Sequence, residues 1–392
     1  MLPEAWGPGA GSMKKASDIK VIVYGEQDSD NQVVRAFLAL EGPRRIPCRT
    51  DSEITVAVEE LKNDGYASKQ VLVLARNKGR SLQRCPGSRG MICCRYLVLN
   101  TGFNCLYNCS YCYLNSYLNS YGVLLFINFD DALEEIREFQ RNARGDLMYR
   151  VGTGEFTDSL MLDDVAGTAE RLIHCAGAMP NVLVELKTKS ANVDHLLGVK
   201  EKQSVVFAWS LNTPRAIKRY EADTATLDER LGAAAKAAGA GFPVAFHFDP
   251  IIPYEGWERE YGDLVERAFH HVPRGRLAWI SLGCFRYSRG FKETVRENFP
   301  ADDLVLMELF SGRDGKSRYL PQARREIYKK MKSFLDREGT NAFIYLCMED
   351  NDMWNEVFNR EYNASDDLER DFSDHVKRFV RGMQGAAGSI KS

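Results

Sequence analysis

The chain has 392 residues, of which 44% are apolar and 27% are charged, and its mean hydropathy is −0.35. This composition is typical of a globular protein, and the length favours one large domain with smaller appended parts. The net charge of −2 and the pI near 6.4 argue against a general positive field for nucleic acid, although they leave room for a local basic face. No apolar run is long enough to cross a membrane, so we expect no membrane partner.

The first part of the chain predicts a small support domain. Residues 1–17 lack the apolar segment of a secretory signal, and we interpret them as a flexible leader. Two β-branched runs at 19–24 and 70–75 enclose segments of helical spacing, which predicts a small α/β support domain at 18–76. A connector rich in glycine and cysteine follows at 77–94.

Strand and helix patterns then alternate six times within residues 95–300. The predicted strands are 95–100, 147–152, 182–186, 204–211, 243–249 and 277–284. This alternation predicts an α/β fold with a parallel sheet, and six units are fewer than the eight of a closed barrel. We therefore expect a partial (β/α)6 barrel, followed by a hairpin and a basic helix at 301–345 and by an extension at 346–392.

Polar and ionisable side chains collect where these predicted strands end. The residues that bear on the chemistry below are Glu155, Thr157, Lys189, Ser210, Asn212 and Cys284. In parallel sheets the working groups come from the carboxyl ends of the strands and from the loops after them. The sequence therefore predicts an active site along this rim.

Ten cysteines in a chain of this length do not form a disulfide framework, and their clustering indicates metal binding in a reducing compartment, which we expect to be the cytoplasm. Cys105, Cys109 and Cys112 have C-x3-C-x2-C spacing. Thiolates are ligands of iron–sulfur clusters, and three of them leave one iron of a four-iron cluster open. The spacing differs from a four-cysteine ferredoxin run and from a paired C-x2-C zinc site. The alternative is a loop that holds zinc or no metal.

A second group of cysteines lies in the connector, at Cys85, Cys93 and Cys94. These thiols could hold an auxiliary cluster or metal ion, or they could serve only to pack the connector.

The C-x3-C-x2-C pattern is that of radical S-adenosylmethionine enzymes, and residues 71–345 resemble the spore photoproduct lyase family. The matching segments are 110–114, 128–131, 188–189, 193–197, 210–212, 239–241, 250–251 and 254–258. The resemblance implies a 4Fe–4S cluster and reductive cleavage of S-adenosylmethionine to a 5′-deoxyadenosyl radical. In the family the substrate is a thymine dimer in DNA, so the implied activity is that of a DNA-repair lyase. We also expect a monomer that takes single electrons from a flavodoxin or ferredoxin.

The resemblance also implies roles for individual residues. Cys105, Cys109 and Cys112 would hold the cluster, and Glu155 would meet the amino group of the cofactor through a charge-assisted contact. Further implied roles are cofactor contacts for Thr157, Lys189, Ser210 and Asn212, a hydrogen or electron relay for Tyr111 and Tyr113, and a hairpin tip that wedges the lesion out of the duplex for Arg318 and Tyr319.

One departure from the family concerns the hydrogen donor. The lesion-repairing lyases carry a hydrogen-donating cysteine after the second barrel strand, where this chain has Glu155 or its neighbour. Cys284 is the rim cysteine that could replace it, unless it is simply a buried thiol. The basic helix at 324–335 could likewise contact phosphates or be a solvated face. Two other functions stay open: a radical enzyme acting on a small metabolite, peptide or tRNA, and an iron–sulfur or zinc module without catalysis.

Overall fold

The protein is described by a computed structural model that covers residues 12–118 and 121–388. The strands are Val21–Gly25 (β1), Arg44–Cys48 (β2), Val71–Ala75 (β3), Leu82–Arg84 (β4), Leu97–Leu99 (β5), Gly102–Phe103 (β6), Asn108–Cys109 (β7), Val123–Phe126 (β8), Tyr149–Gly152 (β9), Val182–Thr188 (β10), Val205–Ser210 (β11), Glu221–Ala222 (β12), Val244–Ile251 (β13), Leu277–Cys284 (β14), Arg286–Tyr287 (β15), Phe310–Ser311 (β16), Ser317–Arg318 (β17) and Phe343–Leu346 (β18).

The α-helices are Gln32–Leu38 (α1), Asp51–Asn63 (α2), Leu114–Tyr117 (α3), Phe129–Asn142 (α4), Asp163–Ala166 (α5), Thr168–Gly177 (α6), Pro214–Tyr220 (α7), Leu227–Gly239 (α8), Trp257–His271 (α9), Phe291–Asn298 (α10), Pro321–Arg337 (α11), Asn351–Phe358 (α12) and Ser365–Gly388 (α13). None of the helices in the described ranges is long and apolar enough to span a membrane.

The larger sheet has eight strands in the order β18-β14-β13-β11-β10-β9-β5-β4. All neighbouring pairs are parallel except β4 with β5. The six strands predicted from the sequence are present and adjacent, and the partial barrel is confirmed. Because the strands are parallel, their carboxyl ends meet on one rim.

The prediction of only six parallel strands is wrong in one respect. β18 pairs in parallel with β14 and adds a seventh parallel strand, so α11 is a crossover helix of the barrel rather than part of an appended region. The predicted connector also contributes an element, because β4 forms the antiparallel edge of the same sheet.

The predicted N-terminal unit is the core of a second sheet with the order β2-β1-β3-β8-β6. Its last two strands come from beyond residue 100, so the unit is completed by chain segments on either side of the three-cysteine loop. The flexible leader was predicted for 1–17. Residues 1–11 lie outside the described residues, but Lys14 is fixed by a 2.7 Å ion pair with Asp223, and Ala16 is buried.

The two units pack together through the three-cysteine loop. A buried cluster joins side chains of the small sheet and its helix, such as Ile22 and Phe37, to Leu106 and Tyr107 of the loop and to Met161 after β9. The loop is therefore held between the two units, on the barrel side that carries the strand ends.

Candidate active site

The three-cysteine loop runs from β6 to α3, and its first turn is held by Asn104. This residue has a left-handed backbone (φ 69°), which Asn tolerates better than most residues because its short side chain can hydrogen-bond locally. Its amide oxygen accepts a 3.0 Å hydrogen bond from the Cys105 N–H and another from Lys69, and its amide nitrogen donates to the Gly122 carbonyl at 3.0 Å. Lys69, from the segment before β3, thus lies beside the first thiol.

The middle of the loop is bonded to the barrel. β7 pairs antiparallel with β12, so that Cys109 lies opposite Glu221. The side chain of Asn115 donates to the carbonyls of Cys109 and Ser110 at 3.1 and 3.2 Å. These contacts fix the backbone that presents the thiols.

The electrostatics of the loop suit a group that carries thiolates. Burial raises the pKa of Cys105 to about 11 and also raises the pKa of Cys109 and Cys112, so the free thiols are neutral. Lys69 opposes the shift at Cys105, and Lys189 opposes it at Cys109. Three thiols with two ammonium groups beside them fit an anionic cluster bound through sulfur.

The loop is not arranged as a single-ion site. Within residues 12–118 and 121–388, no three His, Cys, Asp or Glu side chains are placed to hold one metal ion. A tetrahedral zinc site needs its ligands to converge on one point, whereas a four-iron cluster is wider than one ion.

Glu155 lies on the rim after β9. Its carboxylate is 3.6 Å from the Nζ of Lys187, and its backbone carbonyl accepts a 3.0 Å hydrogen bond from the Tyr113 hydroxyl. Glu155 is also close enough to Cys112 to raise the pKa of that thiol, which adds to the larger effect of burial. Glu155 and the third thiol therefore lie near each other, and Tyr113 links the thiol loop to the Glu155 backbone.

Asp158 is a rim residue to which the sequence analysis gave no role. It accepts a 2.7 Å hydrogen bond from the Thr188 hydroxyl and a 2.7 Å hydrogen bond from the Lys189 N–H. Through these bonds it holds the end of β10, from which Lys189 extends over the Tyr111 ring at 5.5 Å. Thr157 is buried beside Asp158, and its hydroxyl has a weak 3.9 Å contact to the Met161 sulfur.

Glu221 is a second group that the sequence analysis did not identify. It is 3% exposed, forms a 2.5 Å ion pair with the fully buried Arg230, and accepts a hydrogen bond from the Tyr111 hydroxyl. Burial alone would raise its pKa, but Arg230 and Lys189 hold the pKa below its ordinary value. Glu221 is therefore a buried carboxylate that ties Tyr111 to the barrel.

Asn212 and Ser210 occupy the end of β11 and the residues just after it. Asn212 accepts from the Tyr261 hydroxyl at 2.6 Å and donates to the Pro250 carbonyl at 3.2 Å, so its side chain is already used within the protein. Ser210 is buried, and its backbone carbonyl accepts a 2.9 Å hydrogen bond from Arg230. Both residues lie on the predicted rim.

Cys284 is a buried thiol at the end of β14. It is 2% exposed, burial raises its pKa, and its backbone N–H donates to the Tyr328 hydroxyl at 2.9 Å.

Cys85, in the connector, lies beside the three-cysteine loop. It packs on the cluster formed by Tyr96 and Phe156, against which Tyr113 and Cys112 also pack.

The connector cysteines lie near a fourth cysteine, Cys347, which directly follows β18. Burial raises the pKa of Cys347, and the nearby Cys94 and Cys85 add to that effect; burial likewise raises the pKa of Cys85, with smaller contributions from Cys94 and Cys93. The Sγ of Cys94 accepts a 2.8 Å hydrogen bond from Arg150. The described residues contain no single-ion site here, and the expectation of an auxiliary metal is unsupported.

Arg318 and Tyr319 do not lie at a hairpin tip, and that expectation is wrong. The hairpin formed by β16 and β17 exists, but Arg318 is 2% exposed and Tyr319 is 7% exposed. Arg318 forms a 2.5 Å ion pair with Asp314 and donates to the Met348 carbonyl at 3.0 Å. Its guanidinium stabilises the hairpin from within.

Half of the cations of the basic helix form ion pairs within the protein. Arg324 is buried in an ion pair with Glu349 at 3.0 Å, and Arg325 pairs with Glu356. Lys332 pairs with Asp336 one turn away at 2.6 Å. Three of the six cations of α11 are thus paired within the protein, whereas Lys329, Lys330 and Arg337 have no carboxylate partner among the described residues.

Comparison with known proteins is consistent with this arrangement. The sequence profile of the family described as "Spore photoproduct lyase" matches residues 68–347. The chain is 29% identical to the spore photoproduct lyase of Bacillus subtilis strain 168 over 227 residues, which are 56% of this chain and 66% of that protein. It is 27% identical to the enzyme of Geobacillus sp. strain Y412MC61 over 57% of this chain and 67% of that protein. The match thus spans about two thirds of the length of these relatives.

Solved structures share the fold. A cysteine-to-alanine mutant of a spore photoproduct lyase superposes with a TM-score of 0.73 at 21% identity, covering 86% of this chain and all of that one. A double mutant of a spore photoproduct lyase, with bound AdoMet and dinucleoside spore photoproduct, gives 0.70 at 21% identity, covering 84% of this chain and 98% of that one. The barrel, the thiol loop at its rim and the match over residues 68–347 together show that this chain belongs to the spore photoproduct lyase family.

Proposed function

We propose that the protein is a radical S-adenosylmethionine lyase that repairs a thymine dimer in DNA. The observation that carries this proposal is the shared position of the thiol loop and Glu155, which are joined through Tyr113. A relative whose structure contains both AdoMet and the dinucleoside photoproduct supports the choice of cofactor and substrate.

Cys105, Cys109 and Cys112 would hold the 4Fe–4S cluster, and Glu155 would receive the cofactor's amino group. When bound, the cluster and S-adenosylmethionine supply a 5′-deoxyadenosyl radical. The chain's own residues bind and orient these groups and exclude water from the rim. Lys189, the second ammonium beside the thiols, would meet the cofactor's carboxylate, while Thr157, Ser210 and Asn212 shape the surrounding rim.

The test is an anaerobic assay of the iron-reconstituted protein with dithionite, S-adenosylmethionine and an oligonucleotide that carries the thymine lesion. We expect both 5′-deoxyadenosine and restored thymine. Cofactor cleavage without restored thymine would overturn the DNA substrate and favour a metabolite, peptide or tRNA. Absence of cleavage would overturn the enzymatic assignment. In the cell we expect a monomer in the cytoplasm, reduced by a flavodoxin or ferredoxin.

Glu155→Gln should weaken S-adenosylmethionine binding about 10- to 100-fold, because a charge-assisted hydrogen bond contributes about 1.5–3 kcal/mol. Isothermal titration of the reconstituted protein under anaerobic conditions measures this change. Glu138→Gln, on an exposed face of α4, is the matched control and should bind as wild type does. Equal affinities of wild type and both variants for S-adenosylmethionine would show that Glu155 does not bind the cofactor.

Cys85, rather than Cys284, should supply the hydrogen that completes the product. Burial and the nearby Glu155 raise the pKa of Cys85 to about 12, which keeps its S–H bond intact beside the cofactor carboxylate. In this step the S–H bond breaks and a C–H bond forms on the substrate radical, leaving a thiyl radical on the protein. In a single turnover in D2O, restored thymine should carry deuterium in wild type and in Cys284→Ser but should lose it in Cys85→Ser. Loss of the label in Cys284→Ser alone would reverse the assignment.

A further inference from the structure

The hairpin carries a lysine that has no carboxylate partner. The Nζ of Lys316 donates to the thioether sulfur of Met348 at 3.3 Å, and among the described residues no carboxylate oxygen lies within 4 Å of it. A thioether is a weak acceptor and cannot neutralise an ammonium group. Lys316 is half-buried, so water compensates for the missing partner only in part.

The side chains around Lys316 leave one positive charge in excess. Four cations lie here, and three carboxylates face them; the cations are Arg286, Lys316, Arg318 and Arg324, and the carboxylates are Asp249, Asp314 and Glu349. Each guanidinium has a carboxylate within ion-pair distance. The unpaired cation is therefore Lys316, and burial together with the nearby Arg286 and Arg318 lowers its pKa.

This excess charge lies on the same rim as Glu155. Arg286 binds Asp249 at 3.1 Å and the Cys347 sulfur at 3.2 Å, at the ends of β13 and β18. Asp249 and Cys347 in turn act on the pKa of Lys187, which is the partner of Glu155. Lys316 contacts Met348 just after β18, and Glu155 lies just after β9, so both residues lie on the rim formed by the carboxyl ends of the strands.

We propose that Lys316 is an anion subsite on this rim and binds the phosphodiester that links the two halves of the lesion. A phosphate is the anionic group that a thymine dimer in DNA carries, and an ammonium group binds it as a point charge. The inference rests on the proposed function, since that function supplies the phosphate-linked substrate. It assigns phosphate recognition to the hairpin's lysine rather than to the basic helix or to the buried Arg318.

The experiment compares two lesion probes that differ in one group, a phosphate-linked dinucleotide and a dinucleoside that lacks the phosphate. Binding to the reconstituted wild-type protein is measured by isothermal titration under anaerobic conditions. We expect wild type to prefer the phosphate-linked probe about tenfold and Lys316→Met to lose that preference while binding the dinucleoside as wild type does. Lys316→Arg should keep the preference. Lys329→Met, an exposed position on α11, controls for the loss of one positive charge.

Two results would overturn the subsite: an unchanged preference in Lys316→Met, or equal weakening of both probes, which would indicate a structural role. A second readout does not depend on the lesion. Millimolar inorganic phosphate should protect Lys316 from acylation in wild type, as read by mass spectrometry, and lack of protection would also reject the subsite. If phosphate protects Lys316 but wild type binds neither lesion probe, the subsite stands and the proposed DNA substrate fails.

Discussion

Cys112→Ala is expected to abolish iron binding, reducing iron and acid-labile sulfide from about four each per chain to background after anaerobic reconstitution. Three thiols from one loop form the donor set. The loop backbone is fixed by β7–β12 pairing and by Asn115, so the two remaining cysteines cannot move to compensate for the lost ligand. Cys105→Ala and Cys109→Ala should behave in the same way. Colorimetric iron and sulfide assays with the visible absorption spectrum measure the effect.

The matched control is Cys48→Ala, which removes a buried thiol at the end of β2 in the small sheet. It should retain full iron and sulfide. Circular dichroism should show unchanged secondary structure in all four variants, so that loss of iron reports on ligation and not on unfolding. Retention of a complete cluster in Cys112→Ala would reject the three-cysteine assignment.

Arg230→Met should lower the free energy of unfolding by about 3–5 kcal/mol, because it leaves Glu221 as a buried carboxylate without its main partner. Arg230 also donates to the carbonyls of Ala225 and Ser210 and to the Thr224 hydroxyl, so together with Glu221 four acceptors lose a donor at once. Denaturant unfolding of the protein without its cluster measures the change. Among single substitutions at this site, we expect this one to have the largest effect on stability.

The double variant Glu221→Gln/Arg230→Met should recover part of the loss, since it removes the uncompensated charge. The pKa of Glu221 is lowered in the folded protein, so its contribution to stability is present above the ordinary glutamate pKa of about 4.3 and disappears as the pH falls through the lower folded value. The difference between wild type and Arg230→Met should therefore shrink below about pH 4. A difference that is constant with pH would show that charge is not its cause.

The sequence was most informative where the signal is local. The β-branched runs of β9, β10, β11, β13 and β14 alternate with helical segments, and each predicted strand is present. The thiol spacing and the Gly-Thr-Gly-Glu segment ending in Glu155 depend on short stretches of chain. Such patterns can be read without knowing which distant segments meet.

The sequence was less informative where function depends on distant partners. Glu221 and Arg230 look like ordinary helix-flanking charges, and only the fold buries them together behind Tyr111. Arg318 was placed at an exposed tip by the resemblance to the family, yet its ion pairs with Asp314 and Glu349 hold it in the interior. β18 was missed because it is only four residues long, and its pairing with β14 is a tertiary property that the local sequence does not reveal.

The position of the thiol loop between the two sheets has a consequence for survival in air. Lys69 and the buried cluster around Leu106 form a wall on one side of the loop, and the barrel forms the other. A cluster held by these thiols would be covered on both sides, so the small sheet would limit the access of solvent and oxygen to it as well as hold the loop. Substitutions that loosen the packing between the sheets, such as those at Ile22 or Phe37, would then expose such a cluster from positions far from any reacting atom.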